Sequence, residues 1–474
     1  MANGGIIGTV NNPTSTTATG VWQQEEQYEA KVTGTWPQRA LFTTKSARFN
    51  TASTDYLQRN MSNTGNLQAW TVSTWVKRST LSGQHMFFAS YADSNNSTEC
   101  FFEGSGQLNF RDKESGSFVF QKKTTQLFQD TSAWYHLVMS SSAGAQKIYV
   151  NGVEVTSFAT NTNGSGTSTW NGPYSHSIAA NVNGGSDKAG LYMAEFTSID
   201  GQTLTASSFG EFSEDSEIWV PKDVTGLTFG TNGFYLPFQN SSALGEDFSG
   251  NNLDFATNNM DATNQVTDTC QNNFATMNPL FAGDANITYS EGNLKTTAAN
   301  ESQKNAVSTI GVSSGKWYCE MVSRNGTNYP GFGIMDSQSV LQTSVSYLGS
   351  SSDSYCMFQD GNYYNNGSAS STGTSWGVNS IMGVSIDLDS STKTIKFYKN
   401  GSQTHSATIS TPANAYVFAV SHNTNGTIAE INFGSPPYAI SSGNSDENDH
   451  GNFEYAPPTG YLAMCTKNVS ETDS

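Results

Sequence analysis

The chain has 474 residues, of which 35% are hydrophobic and 12% aromatic, so it is long enough for two or three domains with separate cores. Its 22 Lys and Arg residues against 40 Asp and Glu give a net charge of -18, which argues against nucleic acid as a partner. The sequence has no apolar run of about 18 residues, so it predicts no membrane insertion.

The first 38 residues form a polar segment with isolated large apolar side chains. Such a segment cannot bury a core by itself, and leaving these side chains in water would be unfavourable. We therefore predict that residues 1–38 attach the chain to a partner protein. The alternative is a terminus that packs loosely on its own domain. The predicted docking residues are Ile6, Ile7, Trp22, Tyr28 and Trp36.

Residues 39–255 contain many short strand patterns separated by turns. The motif WTVSTWVK (70–77) alternates, so that Trp70, Val72 and Val76 share one face of a predicted strand. WYHLV (134–138) predicts a further strand. KIYVNG (147–152) runs into Asn-Gly, the dipeptide that favours a type I′ hairpin turn. Several strands with turns between them indicate a β-sandwich.

These three motifs resemble the concanavalin A-like lectin fold of the laminin G type. The resemblance covers about 200 residues and implies a jelly-roll sandwich with a binding role. Residues 209–211 and 218–222 also resemble the closing segment of virus-encoded versions of this domain.

Residues 256–279 are rich in Asn, Asp and Thr and poor in apolar residues, which is typical of a linker. The stretch DTCQNNFATMNPL (268–280) resembles a recurrent connector in phage appendage proteins. We therefore predict that a flexible linker joins two folded units.

Residues 280–474 form the second predicted unit, a sandwich with a C-terminal tail. Its motifs are SGKWYCE (314–320), GFGI (331–334), IMGVSIDLD (381–389), a second Asn-Gly hairpin in KFYKNG (396–401) and INFG (431–434). In order and spacing they resemble a SPRY domain. The predicted fold is therefore all-β, with two concanavalin A-like jelly-roll sandwiches in tandem and an extended N-terminal attachment segment.

The residues give little support for an enzyme or a metal protein. A glycan hydrolase needs two carboxylates about 5 to 10 Å apart. The densest acidic group (Glu211, Glu214, Asp215 and Glu217) has the sequence of a loop. Asp387 and Asp389 share one face at a strand end, where they either bind calcium or accept backbone hydrogen bonds. No Cys-x-x-Cys or His-x-x-x-His pair occurs, so we predict no metal, no cofactor and no catalytic residue.

Binding is better supported than catalysis, because the loops combine aromatic side chains with planar polar ones. The alternative is that Trp376 and one of the tyrosines belong to the core. The candidate residues for binding a glycan or a protein are Trp170, Tyr174, Tyr363, Tyr364, Asn365 and Trp376.

The start of the chain, at 4–11 and 20–37, resembles tail-fibre-like proteins of marine phages. The combined resemblances imply a structural and adhesive virion protein, assembled in the host cytoplasm and active outside the cell. Its expected partners are other virion proteins, bound through the N-terminal segment, and a host-surface glycan or protein. We also expect a homo-oligomer, with a trimer as one option. The alternatives are a capsid decoration or fibre protein, a tail adaptor component and a glycan hydrolase.

Overall fold

The computed structural model describes residues 43–164, 167–181, 187–213, 216–281, 286–299, 304–325, 330–340, 347–423 and 425–472. The five predicted docking residues (Ile6, Ile7, Trp22, Tyr28 and Trp36) lie outside these ranges, as do Glu214 and Asp215. Thr43–Ser474 belongs to one compact unit, and its described residues form two β-sandwiches. No helix within the described ranges is long and apolar enough to cross a membrane.

The first sandwich consists of two eight-stranded sheets and a two-stranded ribbon. Its strands are β1 (Ser46–Phe49), β2 (Tyr56–Asn60), β3 (Trp70–Arg78), β4 (His85–Asp93), β5 (Asn96–Phe102), β6 (Gln107–Glu114), β7 (Ser117–Leu127), β8 (Trp134–Ser142), β9 (Ala145–Val150), β10 (Val153–Glu154), β11 (Phe158–Thr162), β12 (Ser175–Ile178), β13 (Leu191–Asp200), β14 (Gly210–Phe212), β15 (Trp219–Pro221), β16 (Phe234–Leu236), β17 (Ala256–Asn258) and β18 (Gln265–Val266). Sheet A has the order β10-β9-β8-β3-β13-β1-β18, with β16 on β13, and sheet B has the order β11-β7-β6-β5-β4-β12-β2-β17. The 3-10 helices are Ala206–Ser208 and Ala262–Asn264.

The second sandwich consists of an eight-stranded and a six-stranded sheet. Its strands are β19 (Ile287–Ser290), β20 (Lys295–Ala298), β21 (Lys304–Val312), β22 (Lys316–Ser323), β23 (Gly331–Asp336), β24 (Ser354–Phe358), β25 (Asn362–Asn365), β26 (Ser368–Ser371), β27 (Ile381–Asp387), β28 (Thr394–Lys399), β29 (Ser402–Thr408), β30 (Tyr416–His422), β31 (Ile428–Asn432) and β32 (Leu462–Ala463). Sheet C has the order β19-β20-β31-β22-β27-β28-β29, with β32 on β22, and sheet D has the order β21-β30-β23-β24-β25-β26. The α-helices are Ser337–Val340 and Thr466–Thr472.

Each sandwich has its own hydrophobic core. Trp70, Val72 and Val76 of β3 lie in the first core, as the alternation predicts, and Trp317 and Phe397 lie in the second. Every residue of β3 is nevertheless buried, because a further apolar cluster that includes residues from the 204–235 region covers part of the outer face of sheet A. The prediction of an all-β protein with two tandem sandwiches is confirmed for the described residues.

Both predicted Asn-Gly hairpins are present. Asn151 and Gly152 have φ angles of 47° and 85°, and Asn400 and Gly401 have 47° and 79°. In each hairpin these two residues are the whole turn, since Val150 pairs with Val153 and Lys399 pairs with Ser402. Positive φ at both central positions defines the type I′ turn, so the local sequence alone determined these two connections.

The segment 256–279 differs from the exposed linker expected from its composition. Its strand β17 pairs with β2 and its strand β18 pairs with β1. Farther along, Phe274 and Met277 are buried and form bridges to Cys465 and Ser308 of the second sandwich. Some of the polar residues that indicated a linker bind buried groups instead. Asn264, for example, donates to the backbone oxygen of Arg48 (2.9 Å).

Buried polar contacts join the two sandwiches. The hydroxyl of Tyr192 donates to the backbone oxygen of Gly292 (2.8 Å). The guanidinium of Arg48 donates to the backbone oxygen of Pro436 (3.2 Å). In the segment between the sandwiches, the buried carboxylate of Asp268 forms an ion pair with Lys77 of β3. These contacts explain why both sandwiches belong to one compact unit.

Candidate ligand-binding site

A polar cleft of about 490 Å³ opens at one end of sheet B in the first sandwich. The β4–β5 turn and the β6–β7 turn lie at this end, because β5 begins where β4 ends and β6 ends beside the start of β5. Its size is within the range of about 300 to 1,000 Å³ that is usual for small-molecule sites. The cleft is lined by Leu67, Ala92, Asp93, Asn96, Glu114, Ser115, Thr167, Ser168, Thr169 and Tyr174.

Hydrogen bonds between the two turns fix the rim of the cleft. Asp93 Oδ1 accepts from the backbone N–H of Asn95 (2.7 Å) and from Asn96 Nδ2 (2.9 Å). Asn96 Oδ1 accepts in turn from the backbone N–H of Ser115 in the β6–β7 turn (3.0 Å). Ser115 has a φ of 49°, a conformation that this turn imposes on a non-glycine residue. These hydrogen bonds hold the two turns together and so fix the shape of the rim.

A network of hydroxyls attaches the 167–170 loop to sheet B behind the cleft. Thr98 Oγ1 donates to Asp112 Oδ1 (2.6 Å), lies 2.6 Å from Ser168 Oγ and accepts from the backbone N–H of Thr169 (3.0 Å). Burial raises the pKa of Asp112 to about 8, and the nearby charge of Glu114 adds to the shift. Asp112 is therefore mostly protonated at neutral pH and adds little charge to the cleft.

Trp170 does not bind a ligand through its ring, contrary to the prediction. Its side chain is fully buried, its Nε1 donates to Ser198 Oγ (3.0 Å), and its ring centroid lies 4.6 Å from that of Phe88. The residue anchors the loop in the first core. Trp170 stands between small polar residues, and such a local sequence is typical of an exposed loop. Only the packing of the indole between sheet B, through Phe88, and sheet A, through Ser198, shows that it is buried.

Tyr174 is the candidate that lies in the cleft. It is half-buried, and its ring packs over Gly172, where an added Cβ would come within 2.4 Å of Cδ2 and Cε2. The backbone oxygen of Tyr174 accepts from the N–H of Met61 (2.9 Å), which holds the residue against the strand end. Its role in binding stays a prediction, now with a defined location.

The candidates of the second sandwich do not converge on one site. Tyr363 and Tyr364 follow each other on β25, so their side chains point to opposite faces of sheet D. The ring of Tyr363 lies 4.7 Å from that of His405, and the ring of Tyr364 lies 5.2 Å from that of Phe358. Asn365 Nδ2 donates to backbone oxygens in the loop before β24 and at its first residue, which is a structural role.

Trp376 is a core residue, as the alternative interpretation held. It is 4% exposed and stacks on Phe332 with a centroid distance of 6.0 Å. This burial removes Trp376 from the set of binding residues, because its ring has no face open to a ligand.

Asp387 and Asp389, the two acidic residues considered for calcium, have structural partners. Asp387 Oδ1 accepts from the backbone N–H groups of Asp389 and Ser390 (3.1 and 3.0 Å), and Asp389 Oδ1 accepts from that of Gly315 (2.7 Å). Within the described ranges, no group of three or more His, Cys, Asp or Glu side chains is placed to hold a metal ion.

A serine and a histidine that the sequence did not connect lie together in sheet A. Ser73 Oγ is 2.8 Å from His136 Nε2, and Trp219 Nε1 donates to His136 Nδ1 (2.9 Å). The tryptophan therefore places the imidazole proton on Nε2, which donates to the serine. Burial lowers the pKa of His136 to about 3. The histidine therefore cannot act as the base that a nucleophilic serine requires.

Buried carboxyl groups predict a fall in stability from neutral to mildly basic pH. Burial raises the pKa of Asp112 to about 8 and the pKa values of Glu195 and Glu320 to about 7, above their ordinary values of 3.8 and 4.5. The folded chain then holds protons that the unfolded chain has lost. The free energy of unfolding therefore decreases as the pH rises through the folded-state pKa values of these groups. Each group contributes at most about 1.4 kcal/mol per pH unit.

We expect the Asp112→Asn variant to show a smaller decrease in the free energy of unfolding between pH 6.5 and about 8.5 than the unchanged protein. Asparagine is uncharged and resembles the protonated acid. Urea denaturation at a series of pH values measures this difference. The buried histidines, whose pKa values are lowered in the folded chain, lose protons in the unfolded chain around the ordinary pKa of 6.5, and because they are the same in both proteins their contribution cancels in the comparison; they are His85, His136, His176 and His422. Equal slopes for both proteins would contradict the prediction.

Comparisons with known proteins identify the two sandwiches. Residues 51–208 match the model of the concanavalin A-like lectin/glucanases superfamily, in its laminin G form. Residues 299–436 match the model of the SPRY domain. The chain therefore contains a laminin G-type, concanavalin A-like domain followed by a SPRY domain. The two resemblances drawn from the sequence motifs are confirmed.

Solved structures are similar to parts of the chain at low identity. The SPRY domain of human HERC1 is 18% identical, over 29% of this chain and 87% of that one, with a TM-score of 0.25. A human SPRY domain is 18% identical, over 33% and 98%, with a TM-score of 0.27. Stonustoxin is 22% identical, over 33% and 26%, with a TM-score of 0.28. The comparison with curated proteins gave no match.

Proposed function

We propose that the protein is a structural and adhesive bacteriophage virion protein, a tail fibre or similar appendage, that binds glycans or proteins on the host surface. The observation that carries the adhesive role is the cleft of the lectin-like sandwich, whose lining includes Tyr174, Asp93 and Glu114. An aromatic face next to a few fixed polar groups is the usual composition of a small-ligand site.

The two domain classes support binding rather than catalysis as the proposed activity. The single Ser–His contact in the described part of sheet A has the wrong proton arrangement for a nucleophile. The cleft lies where two hairpin turns meet, whereas the buried ion pair of Lys77 and Asp268 lies at the connection between the sandwiches. A ligand in the cleft therefore leaves the contacts between the sandwiches unchanged.

The virion location rests on the N-terminal segment. Residues 1–38 carry the isolated aromatic and isoleucine side chains and resemble the starts of tail-fibre-like proteins. In this proposal the segment binds other virion proteins, the chain assembles as a homo-oligomer in the host cytoplasm, and the sandwiches act outside the cell. A capsid decoration protein or a tail adaptor would attach through the same segment at another place on the particle.

Two variants test attachment and adhesion separately. We expect deletion of residues 1–38 to keep binding to host cells and to prevent incorporation into particles. We expect Tyr174→Ala to be incorporated normally and to bind cells more weakly, by about tenfold or more if the ring supplies at least about 1.4 kcal/mol. The measurements are protein content of purified virions and binding of labelled protein to cells. Normal incorporation of the truncated chain, or undiminished cell binding by Tyr174→Ala, would contradict the corresponding part.

A further inference from the structure

We infer that the cleft between the β4–β5 and β6–β7 turns binds an uncharged sugar unit through its hydroxyl groups and rejects acidic sugars. This inference rests on the proposed function, because it specifies the ligand class of the same site. It follows from the charge, the hydrogen-bonding groups and the aromatic ring of the cleft.

The lining carries negative charge only. Asp93 and Glu114 are its ionisable acids, and among the described residues that line the cleft none is Lys, Arg or His. Hydrogen bonds from Asn95 and Asn96 hold the pKa of Asp93 below its usual value, so this carboxylate stays ionised. Lys113 of β6 does not line the cleft; its charge acts on Asp93, and its Nζ donates to the backbone oxygen of Ser94 (2.7 Å). A uronate, sulfate or sialate group in the cleft would therefore face like charges.

The two charged groups of the lining, Asp93 and Glu114, are acceptors, whereas its hydroxyl groups can donate or accept. The amide nitrogen of Asn96 already donates to Asp93, and the hydroxyl of Thr167 donates to Glu114 Oε1 (3.3 Å). Each carboxylate has lone pairs beyond these bonds, since an ionised carboxyl offers about four acceptor positions. Sugar hydroxyls supply the matching donors.

Tyr174 supplies the apolar side of the site. Its ring is held on Gly172 and lines the same cleft as Asp93 and Glu114, so we expect a flat sugar ring to lie on the tyrosine while its hydroxyls bind a carboxylate of the lining. Asp112 lies behind the loop and does not line the cleft, whose volume is about 490 Å³.

Matched pairs of ligands test this inference with the full chain. We would use the methyl glycosides of glucose, galactose and mannose, each paired with the corresponding methyl uronide, which differs by one carboxylate. Calorimetry or saturation-transfer NMR at neutral pH measures binding, once with EDTA and once without it. We expect at least one neutral glycoside to bind and its uronide to bind about tenfold or more weakly. Equal or tighter binding of the uronide, or binding that EDTA abolishes, would overturn the inference.

Two charge-neutral variants identify the cause of the selectivity. The double variant Asp93→Asn with Glu114→Gln keeps the size of both side chains, and we expect it to lose most of the discrimination against the uronide. The control Asp360→Asn with Glu447→Gln makes the same change of net charge on exposed residues of the second sandwich. We expect the control to keep full discrimination. An equal loss in the control would show that overall charge, and not the cleft, is responsible.

The two proposals fail in different ways. If the protein binds host cells but none of the six methyl glycosides, the ligand class assigned to the cleft is wrong and the adhesive function stands. If the protein binds no host cells while a neutral glycoside binds in the cleft, the adhesive function is wrong and the ligand class stands.

Discussion

Replacing Asp268 with alanine is expected to lower the free energy of unfolding by about 3 to 5 kcal/mol, the usual cost of leaving one partner of a buried ion pair without the other. Lys77 is fully buried, and its Nζ contacts the Asp268 carboxylate and Asn273 Oδ1 (2.9 Å). Burial already lowers the pKa of Lys77 and raises that of Asp268. Without the carboxylate, the ammonium group would lose its main compensating charge.

The exposed ion pair between Lys147 and Glu154 provides the matched control. Its N–O distance is 2.9 Å, and its side chains are 46% and 42% exposed. We expect Glu154→Ala to cost less than about 1 kcal/mol, because water screens such pairs. The double variant Lys77→Met with Asp268→Leu should recover part of the loss, since it leaves no buried charge. Urea denaturation followed by tryptophan fluorescence measures all three, and equal losses for Asp268→Ala and Glu154→Ala would contradict the assignment.

Replacing Trp170 with alanine is expected to lower the free energy of unfolding by about 3 to 5 kcal/mol, because it leaves a large cavity in the first core. It also leaves the hydroxyl of Ser198 without its donor from the indole. Tyr174→Ala, four positions along the same loop, removes a half-buried ring at the surface of the cleft. We expect it to reduce stability much less and ligand binding much more.

Comparing Trp170→Ala with Tyr174→Ala therefore distinguishes an aromatic residue that stabilises the fold from one that binds the ligand. Denaturation curves and binding to a neutral methyl glycoside are measured for both variants. A small loss of stability in Trp170→Ala would show that the loop is not anchored by the indole. A loss of stability in Tyr174→Ala as large as that of Trp170→Ala would assign Tyr174 to the core as well.

The protein as a whole is expected to act by binding, and its two functional hypotheses depend on different parts of the chain. Adhesion depends on the described cleft. In the proposed function, incorporation into a virion depends on residues 1–38, which lie outside the described residues. The phage context stays a prediction from sequence resemblance, whereas the laminin G-type and SPRY domains are confirmed.

The sequence by itself determined the features that depend on neighbouring residues. The alternation of 70–77 placed Trp70, Val72 and Val76 on the core face of β3, because side chains alternate along any strand. Asn-Gly determined both type I′ turns, because few other dipeptides accept positive φ at both positions. Motif order along the chain was enough to recognise both sandwich types.

Only the tertiary structure decided which polar and aromatic residues are buried. Trp170 and Tyr174 stand in one loop of similar composition, yet one packs between sheets and the other lines a cleft. The polar segment 256–279 was expected to be exposed, yet Asp268 in it is buried beside Lys77. Whether a residue is buried depends on elements distant in sequence, here β3 and β13 of sheet A. A polar side chain can be buried when such an element supplies its hydrogen-bond partner. Composition along the chain does not contain that information.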